Sequence, residues 1–174
     1  MFVFTISKCV VLMEDGHRKV IARALLTTKR QKLGEFGENR VTKDCNCPRC
    51  KRARTLVRLP TNFKCADVIC DFCGYLAQVK TSAVRTIEVI PSQILGAAWG
   101  PQQERMEAGI YFPLFLVLAT TEQKLYSIYY LSADLQQVEM FKPRNPLSPN
   151  ARRAGWTGFL YNLEAVQSSF VRLK

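Results

Sequence analysis

Cys65-Ala66-Asp67-Val68-Ile69-Cys70-Asp71-Phe72-Cys73-Gly74-Tyr75-Leu76-Ala77-Gln78-Val79-Lys80-Thr81 is the stretch on which the fold turns. Two strand-like runs, 64–70 and 75–81, are separated only by Asp71, Phe72, Cys73 and Gly74, which is hairpin spacing with a glycine for the turn. Cys70 and Cys73 form a C-x-x-C pair inside that turn. A second pair, Cys47-Pro48-Arg49-Cys50, precedes it by 19 residues. Two such pairs at this distance predict a four-thiolate zinc site: each tight turn brings two sulfurs to one ion, and four sulfurs close a tetrahedron that leaves no open position. The site is structural by that logic, not catalytic. A redox C-x-x-C is the rival, but it would occur once and ahead of a helix. Cys45 could substitute as a ligand, whereas Cys65 and Cys9 lie in apolar, strand-like contexts that suit a buried thiol.

The rest of the composition agrees with a reduced, metal-binding protein. Seven cysteines is an odd number, which disfavours a complete disulfide framework and favours a reducing, cytoplasmic setting. The apolar N-terminal segment 1–13 has no basic region ahead of it and runs into Glu14-Asp15, so it does not read as a signal peptide. No run is long enough for a membrane span. With one histidine, His17, chemistry that needs two imidazoles is excluded, and a Ser-His-Asp triad is disfavoured because no G-x-S-x-G motif is present. Lys and Arg exceed Asp and Glu by 25 to 14, a net charge of +11, which points to an acidic partner such as a phosphate backbone. The excess is concentrated in residues 1–60.

Without repeats or a long linker, residues 1–174 read as a single domain, with the zinc knuckle pair embedded at 45–73. Residues 2–13 read as a strand and 18–31 as a basic amphipathic helix. A short helix over 33–41 places Glu38 near its middle. Residues 91–109 have helical spacing in Ile94, Leu95, Ala98 and Trp99, interrupted at Gly100-Pro101. Residues 111–121 and 124–131 are the clearest strands, joined at Glu122-Gln123 and expected near the centre of the sheet. A short helix is expected over 132–141, and a last strand over 156–163. The mixture predicts an α/β or α+β class with a mostly antiparallel sheet.

On the clamped hairpin, a turn centred near Phe72 sets Asp67 roughly opposite Ala77, while Gln78 and Lys80, two apart, share one face. A carboxylate, an amide oxygen and an ammonium then converge among apolar neighbours. Asp67…Gln78-x-Lys80 has the form of the nuclease motif D…(D/E/Q)-x-K, in which oxygen ligands hold Mg²⁺ and the lysine orients the attacking water. The competing reading is a solvated strand edge with an Asp67–Lys80 salt bridge.

Together with Cys47 to Cys50, the segment from Cys65 to Thr81 and Pro-Leu-Ser-Pro-Asn-Ala-Arg-Arg-Ala-Gly-Trp-Thr-Gly-Phe over 146–159 resemble the catalytic domain of the DpnI-like, Dam-replacing restriction endonuclease family. The resemblance covers roughly 33–166 in the same order. It implies an α/β restriction-endonuclease-like PD-(D/E)xK core, a mixed sheet flanked by helices with an embedded four-cysteine zinc site, that cuts double-stranded DNA at GATC sites containing N6-methyladenine. By the same resemblance Asp67 and Lys80 are active-site residues, Cys47, Cys50, Cys70 and Cys73 are zinc ligands, Glu38 is the helix acid that completes the metal site, and Trp156 lies near the methylated base. Asp67, Gln78 and the Val79 carbonyl are then the Mg²⁺ ligands. Two departures stand out: Gln78 replaces the second acid, and no winged-helix module follows. They keep open a catalytically inactive reader of methylated DNA, and leave a homodimer or a separate DNA-recognition subunit as ways to complete the site. A general zinc-ribbon partner-binding module is a weaker alternative. Arg152 and Arg153, after a proline-rich loop, suit phosphate contacts, as does the basic cluster Lys51, Arg52, Arg54 and Arg58; a tight turn with a core tryptophan is the plainer reading of 152–156.

Overall fold

The computed structural model describes residues 28–61, 63 and 65–174. The expected strand over 2–13, most of the expected helix over 18–31, Cys9 and His17 lie outside the described residues. The first described element is a helix, α1 (Lys29–Asp44), started by a capping box: Thr28 Oγ1 accepts from the Gln31 N–H at 3.2 Å, and the Gln31 side chain accepts from the Thr28 N–H at 2.8 Å. It takes in the whole of the short helix expected over 33–41, with Glu38 near the middle.

In chain order the remaining elements are β1 (Leu56–Arg58), β2 (Val68–Cys70), β3 (Leu76–Ala83), β4 (Gln93–Ala98), α2 (Trp99–Glu107), β5 (Leu114–Ala119), β6 (Tyr126–Leu131), β7 (Phe141–Pro143), β8 (Gly158–Asn162) and β9 (Val171–Arg172). Six strands form one mixed sheet in the order β1-β2-β3-β5-β6-β9, and β4-β8-β7 form a second. Only the β3–β5 pair is parallel. A parallel neighbour requires a long crossover, and the chain uses it to build β4 and α2. β5 is buried at every position, as expected of a central strand flanked on both faces.

The pleat assigns the two faces. Ala77, Val79, Phe115, Val117 and Ile128 point toward Val41 of α1 and form one core. Leu114, Leu116 and Leu118, on the opposite face, pack against Ile94, Phe159 and Tyr161 of the second sheet. Gln78 and Lys80 pair in register with Leu114 and Leu116, so they belong to the face covered by the second sheet.

Three expected elements differ. Residues 91–109 split into β4 and α2 rather than one interrupted helix: Ile94 is buried and Leu95 exposed, a strand alternation stabilised by pairing with distant β8. The helix expected over 132–141 is two 3₁₀ turns, Ala133–Leu135 and Val138–Met140, before Phe141 enters β7. β8 is not last, since a 3₁₀ segment, Glu164–Ser169, leads on to β9.

α1 lies close enough to the sheet that a Cβ on Gly37 would overlap Thr81 Oγ1 of β3, whereas one on Gly34 meets nothing within 4 Å. Gly37→Ala is therefore expected to push α1 off β3 and cost about 2–3 kcal/mol, while Gly34→Ala stabilises by about 1 kcal/mol through helix propensity. Chemical denaturation of the two variants checks the contrast. Equal effects would mean that the helix is not seated on Thr81.

Candidate metal centre and candidate active site

The two C-x-x-C segments fold into turns of matching shape. In the first, Lys51 N–H donates to the Cys47 carbonyl at 2.9 Å; in the second, Gly74 N–H donates to the Cys70 carbonyl at 2.9 Å. The residue that follows each pair is left-handed, with φ of 63° at Lys51 and 69° at Gly74. Glycine adopts this freely, and Lys51 does so at some cost. The turns bring Cys47, Cys50, Cys70 and Cys73 together, all four sulfurs within 4.8 Å of one another. Cys47 and Cys73 Sγ are 3.6 Å apart, Cys50 and Cys70 Sγ 3.7 Å. A zinc ion with bonds of about 2.3 Å would hold tetrahedral sulfurs about 3.8 Å apart, so donor type and spacing both fit a metal ion such as zinc.

The thiols are not equivalent. Burial pushes the Cys47 thiol up to about 12. At Cys70 the effect of burial is outweighed by the hydrogen bond with Thr55 Oγ1 at 3.3 Å and by those from the Cys73 and Phe72 amides, which bring it down to about 6. Thiols that remain protonated must release protons as an ion binds. Cys45 is outside the cluster; burial, with the Asp44 charge, lifts it to about 11, so it stays a neutral core thiol. Cys65 departs from the expectation of a strand-buried thiol: it is half-buried in the left-handed region, φ 67°, and lines the cleft described next.

At the far end of β2 from the sulfurs stands Asp67. The Cα register is Val68↔Ala77 and Ile69↔Leu76, one residue from the expected Asp67–Ala77 opposition, although the Asp67 N–H does bond to the Ala77 carbonyl. The correction matters chemically. Opposite Ala77, Asp67 would share that residue's face toward α1; one position on, it falls in line with Gln78 and Lys80. The Cα pairing ends at Val68, the Asp67 N–H still donates to the Ala77 carbonyl at 2.9 Å, and beyond it the Asp67 side chain takes the Val79 N–H at 2.7 Å through Oδ2. A residue's N–H and carbonyl leave a strand on the same edge, so the Val79 carbonyl faces the same open edge as Asp67.

Asp67, Gln78 and Lys80 line one cleft of about 240 Å³ between the sheets, closed on its other side by Ala97 and Ala98 of β4, Pro101 and Gln102 of α2, and Phe159 and Tyr161 of β8. Lys80 is half-buried and makes no salt bridge among the described residues, so the Asp67–Lys80 ion pair of a plain strand edge is absent. Gln78 is 9% exposed, and its Oε1 accepts a 2.6 Å hydrogen bond from the Tyr161 hydroxyl. Tyr161 is fully buried, and burial, with the Asp67 charge, raises its phenol well above the ordinary value, so it stays a donor. Sequence reasoning missed Tyr161, 83 residues away from Gln78; the aromatic-rich β8 shows no signal of that partnership.

Glu38 approaches from α1, near enough to Asp67 for their charges to interact. Its Oε2 accepts from Arg58 Nε at 2.8 Å and pairs with Nη2 at 2.7 Å, and Asn39 Oδ1 accepts from Nη1 at 3.2 Å. Arg58 is thus tied to α1 rather than free for phosphate, unlike the exposed Lys51 and Arg54. Arg52 stacks on Phe72, 3.6 Å from the ring centroid, and links the two knuckles. Arg152 and Arg153 are exposed in the loop before β8. Trp156 is half-buried with its ring against Gly158, where a Cβ would come within 2.8 Å of it.

Burial raises the Glu38 carboxyl above its ordinary value, Arg58 pulls it back only in part, and the Asp67 charge adds to the rise. A raised carboxyl favours the neutral form in the fold, so its contribution to stability is present at low pH and is lost as pH rises through the folded value. In Mg²⁺-free protein, the melting temperature of the parent relative to Glu38→Gln is expected to fall as pH goes from about 4 to about 7. A rising difference would show that Arg58, not burial, governs this carboxyl.

No helix among the described residues is long and apolar enough to cross a membrane. The model of the Dam-replacing family, named for DpnI, matches residues 19–173 and so spans both the cysteine cluster and the cleft. With nearly its whole length matched, this chain belongs to the Dam-replacing (DpnI) family.

Proposed function

We propose that the chain is a Mg²⁺-dependent DNA endonuclease with a PD-(D/E)xK-type core, which hydrolyses phosphodiester bonds in double-stranded DNA at N6-methyladenine GATC sites. Membership of the family points to a restriction-endonuclease-like function tied to methylated DNA. The observation that carries the finer reading is the convergence in one cleft, beside an open strand edge, of Asp67, Gln78 and a Lys80 that has no ion pair among the described residues.

Oxygen donors suit a hard cation. Asp67 keeps one carboxylate oxygen beyond that used on Val79, Gln78 keeps a second lone pair beyond that given to Tyr161, and the Val79 carbonyl faces the same edge. These three groups would hold Mg²⁺, with Glu38 assisting; bound there, the ion supplies Lewis-acid stabilisation of charge on the phosphoryl oxygens. Lys80 holds a water by hydrogen bonding and aims it at phosphorus, opposite the bond to the departing 3′ oxygen. The new bond is water oxygen to phosphorus, and the bond broken is phosphorus to the departing oxygen, which takes up a proton. The zinc cluster, with four protein sulfurs, takes no part in the reaction but holds the hairpin. Arg152 and Arg153, with Lys51 and Arg54, contact phosphates, and Trp156 swings toward the methylated base when DNA binds. Two copies, or one copy with a DNA-recognition subunit, cut the two strands.

A second reading, a zinc-containing protein that reads methylated DNA without cutting it, is favoured by Gln78, whose oxygen is uncharged and already accepts from Tyr161. Incubating methylated and unmethylated plasmid with the protein and Mg²⁺ separates them. Cleavage confined to methylated plasmid is expected. Salt-dependent binding of intact DNA under both conditions would leave only the second reading.

A further inference from the structure

Gln102 is 7% exposed, lines the cleft from α2, and has no hydrogen-bond partner among the described residues. Among the described residues, the polar atoms sealed from solvent without a partner are Thr81 Oγ1 and Asn162 Oδ1, not the Gln102 amide, which opens on the cleft, where a ligand can supply its bonds. It stands in the first turn of a nine-residue helix whose start is unusually bare. No side chain caps it, and no acid sits in its first turn. Ala98 is still in β4 opposite Gly158, the Trp99 N–H is given to the Thr157 carbonyl at 2.9 Å, and Pro101 has no N–H. The Gly100 N–H is left, at an exposed position where even a Cβ would meet nothing within 4 Å.

The N-terminal end of a helix carries partial positive charge and attracts anions. Here that end, through Ala98, Pro101 and Gln102, forms one wall of the cleft that holds Lys80. An amide donor that lines the cleft at the positive end of a helix dipole suits one kind of ligand, a phosphodiester oxygen. We infer that the start of α2 is a phosphate-binding site, in which the Gln102 side-chain amide, at the positive end of the helix dipole, holds a backbone phosphate of the DNA strand lying in the cleft. This rests on the reading of the cleft as a DNA site, and it adds a contact that neither the metal ligands nor the exposed arginines provide. The amide donor is neutral, so it positions a strand that the basic residues attract.

Binding of a short, labelled methylated duplex to the zinc-loaded protein, without Mg²⁺, tests the inference apart from cleavage. Gln102→Ala is expected to weaken binding five- to tenfold. Ala98→Asp caps the bare helix end, and so should raise the melting temperature, yet it sets a carboxylate where the phosphate would lie and should weaken binding at least tenfold. Ala108→Asp places the same charge just past the other end of α2 and should leave affinity within twofold. Parental affinity in both Gln102→Ala and Ala98→Asp, or equal losses in Ala98→Asp and Ala108→Asp, would overturn the site. Should Gln102→Ala fail to fold, the two aspartate variants decide alone. A parent that binds the duplex in this pattern but never cuts it with Mg²⁺ would defeat the endonuclease reading and sustain the phosphate site.

Discussion

Lys80→Ala is expected to lower the cleavage rate by about a thousandfold, the scale of losing a positioned charge or proton-transfer group at a reacting centre. Stability should scarcely change. Lys80 is half-buried, has no ion-pair partner to strand among the described residues, and lies on a strand held on one side by the fully buried β5, so an effect within about 0.5 kcal/mol is expected. Duplex affinity should change little beyond the loss of one positive charge. Single-turnover cleavage, a thermal melt and a binding titration measure the three. If cleavage persists within tenfold of the parent, Lys80 does not position the water, and the Asp67–Gln78–Lys80 cleft is not the site of hydrolysis.

Removing the metal from the cysteine cluster should be the most destabilising change that leaves the sequence intact. The four cysteines join the turn before β1 to the turn between β2 and β3, and β1 and β2 have three residues each, too short for independent stability. Structural zinc in small sites supplies about 10–16 kcal/mol of apparent binding energy. Loss of even about 5 kcal/mol would lower the melting temperature by roughly 10–20 °C in a protein of this size. A strong chelator, and separately Cys70→Ser, should therefore produce a large fall in melting temperature together with loss of amide protection in β2 and β3. Metal analysis that finds zinc absent while the melt is unchanged would show that the cluster is not a structural metal site. Deprotonation limits reassembly: with Cys47 raised to about 12, zinc uptake should slow as pH falls.

The cysteine cluster was legible because its information is local. Two C-x-x-C pairs encode two turns, and ligand chemistry then requires the turns to meet. The central strands were legible for a similar reason: 114–119 is apolar at every position and too short for a helix buried on all sides. Non-local pairing was not legible. Ile94, Leu95, Ala98 and Trp99 satisfy helical spacing, and only hydrogen bonding to β8, some sixty residues away, makes 93–98 a strand. At the site, residue types were readable but register was not, because a turn of four or five residues changes the facing pairs by one. Partners supplied by other elements were hidden altogether. Nothing near Gln78 announces Tyr161, nothing near Arg58 announces Glu38, and Gln102 becomes conspicuous only when its surroundings offer it no bond.

β2 has consequences as a measuring rod. Asp67 stands at one end of it and Cys70 at the other, and each is held: the sulfur by three companions, the carboxylate by the Val79 amide. Insertion of one residue between them would rotate the carboxylate to the helix-packed side of the sheet, and insertion of two would return it to the cleft side but displaced by about 7 Å. Substitutions at Val68 and Ile69 can be absorbed by repacking, whereas a change in the number of residues cannot. Length, more than composition, is the property of this segment that drift would find hardest to alter.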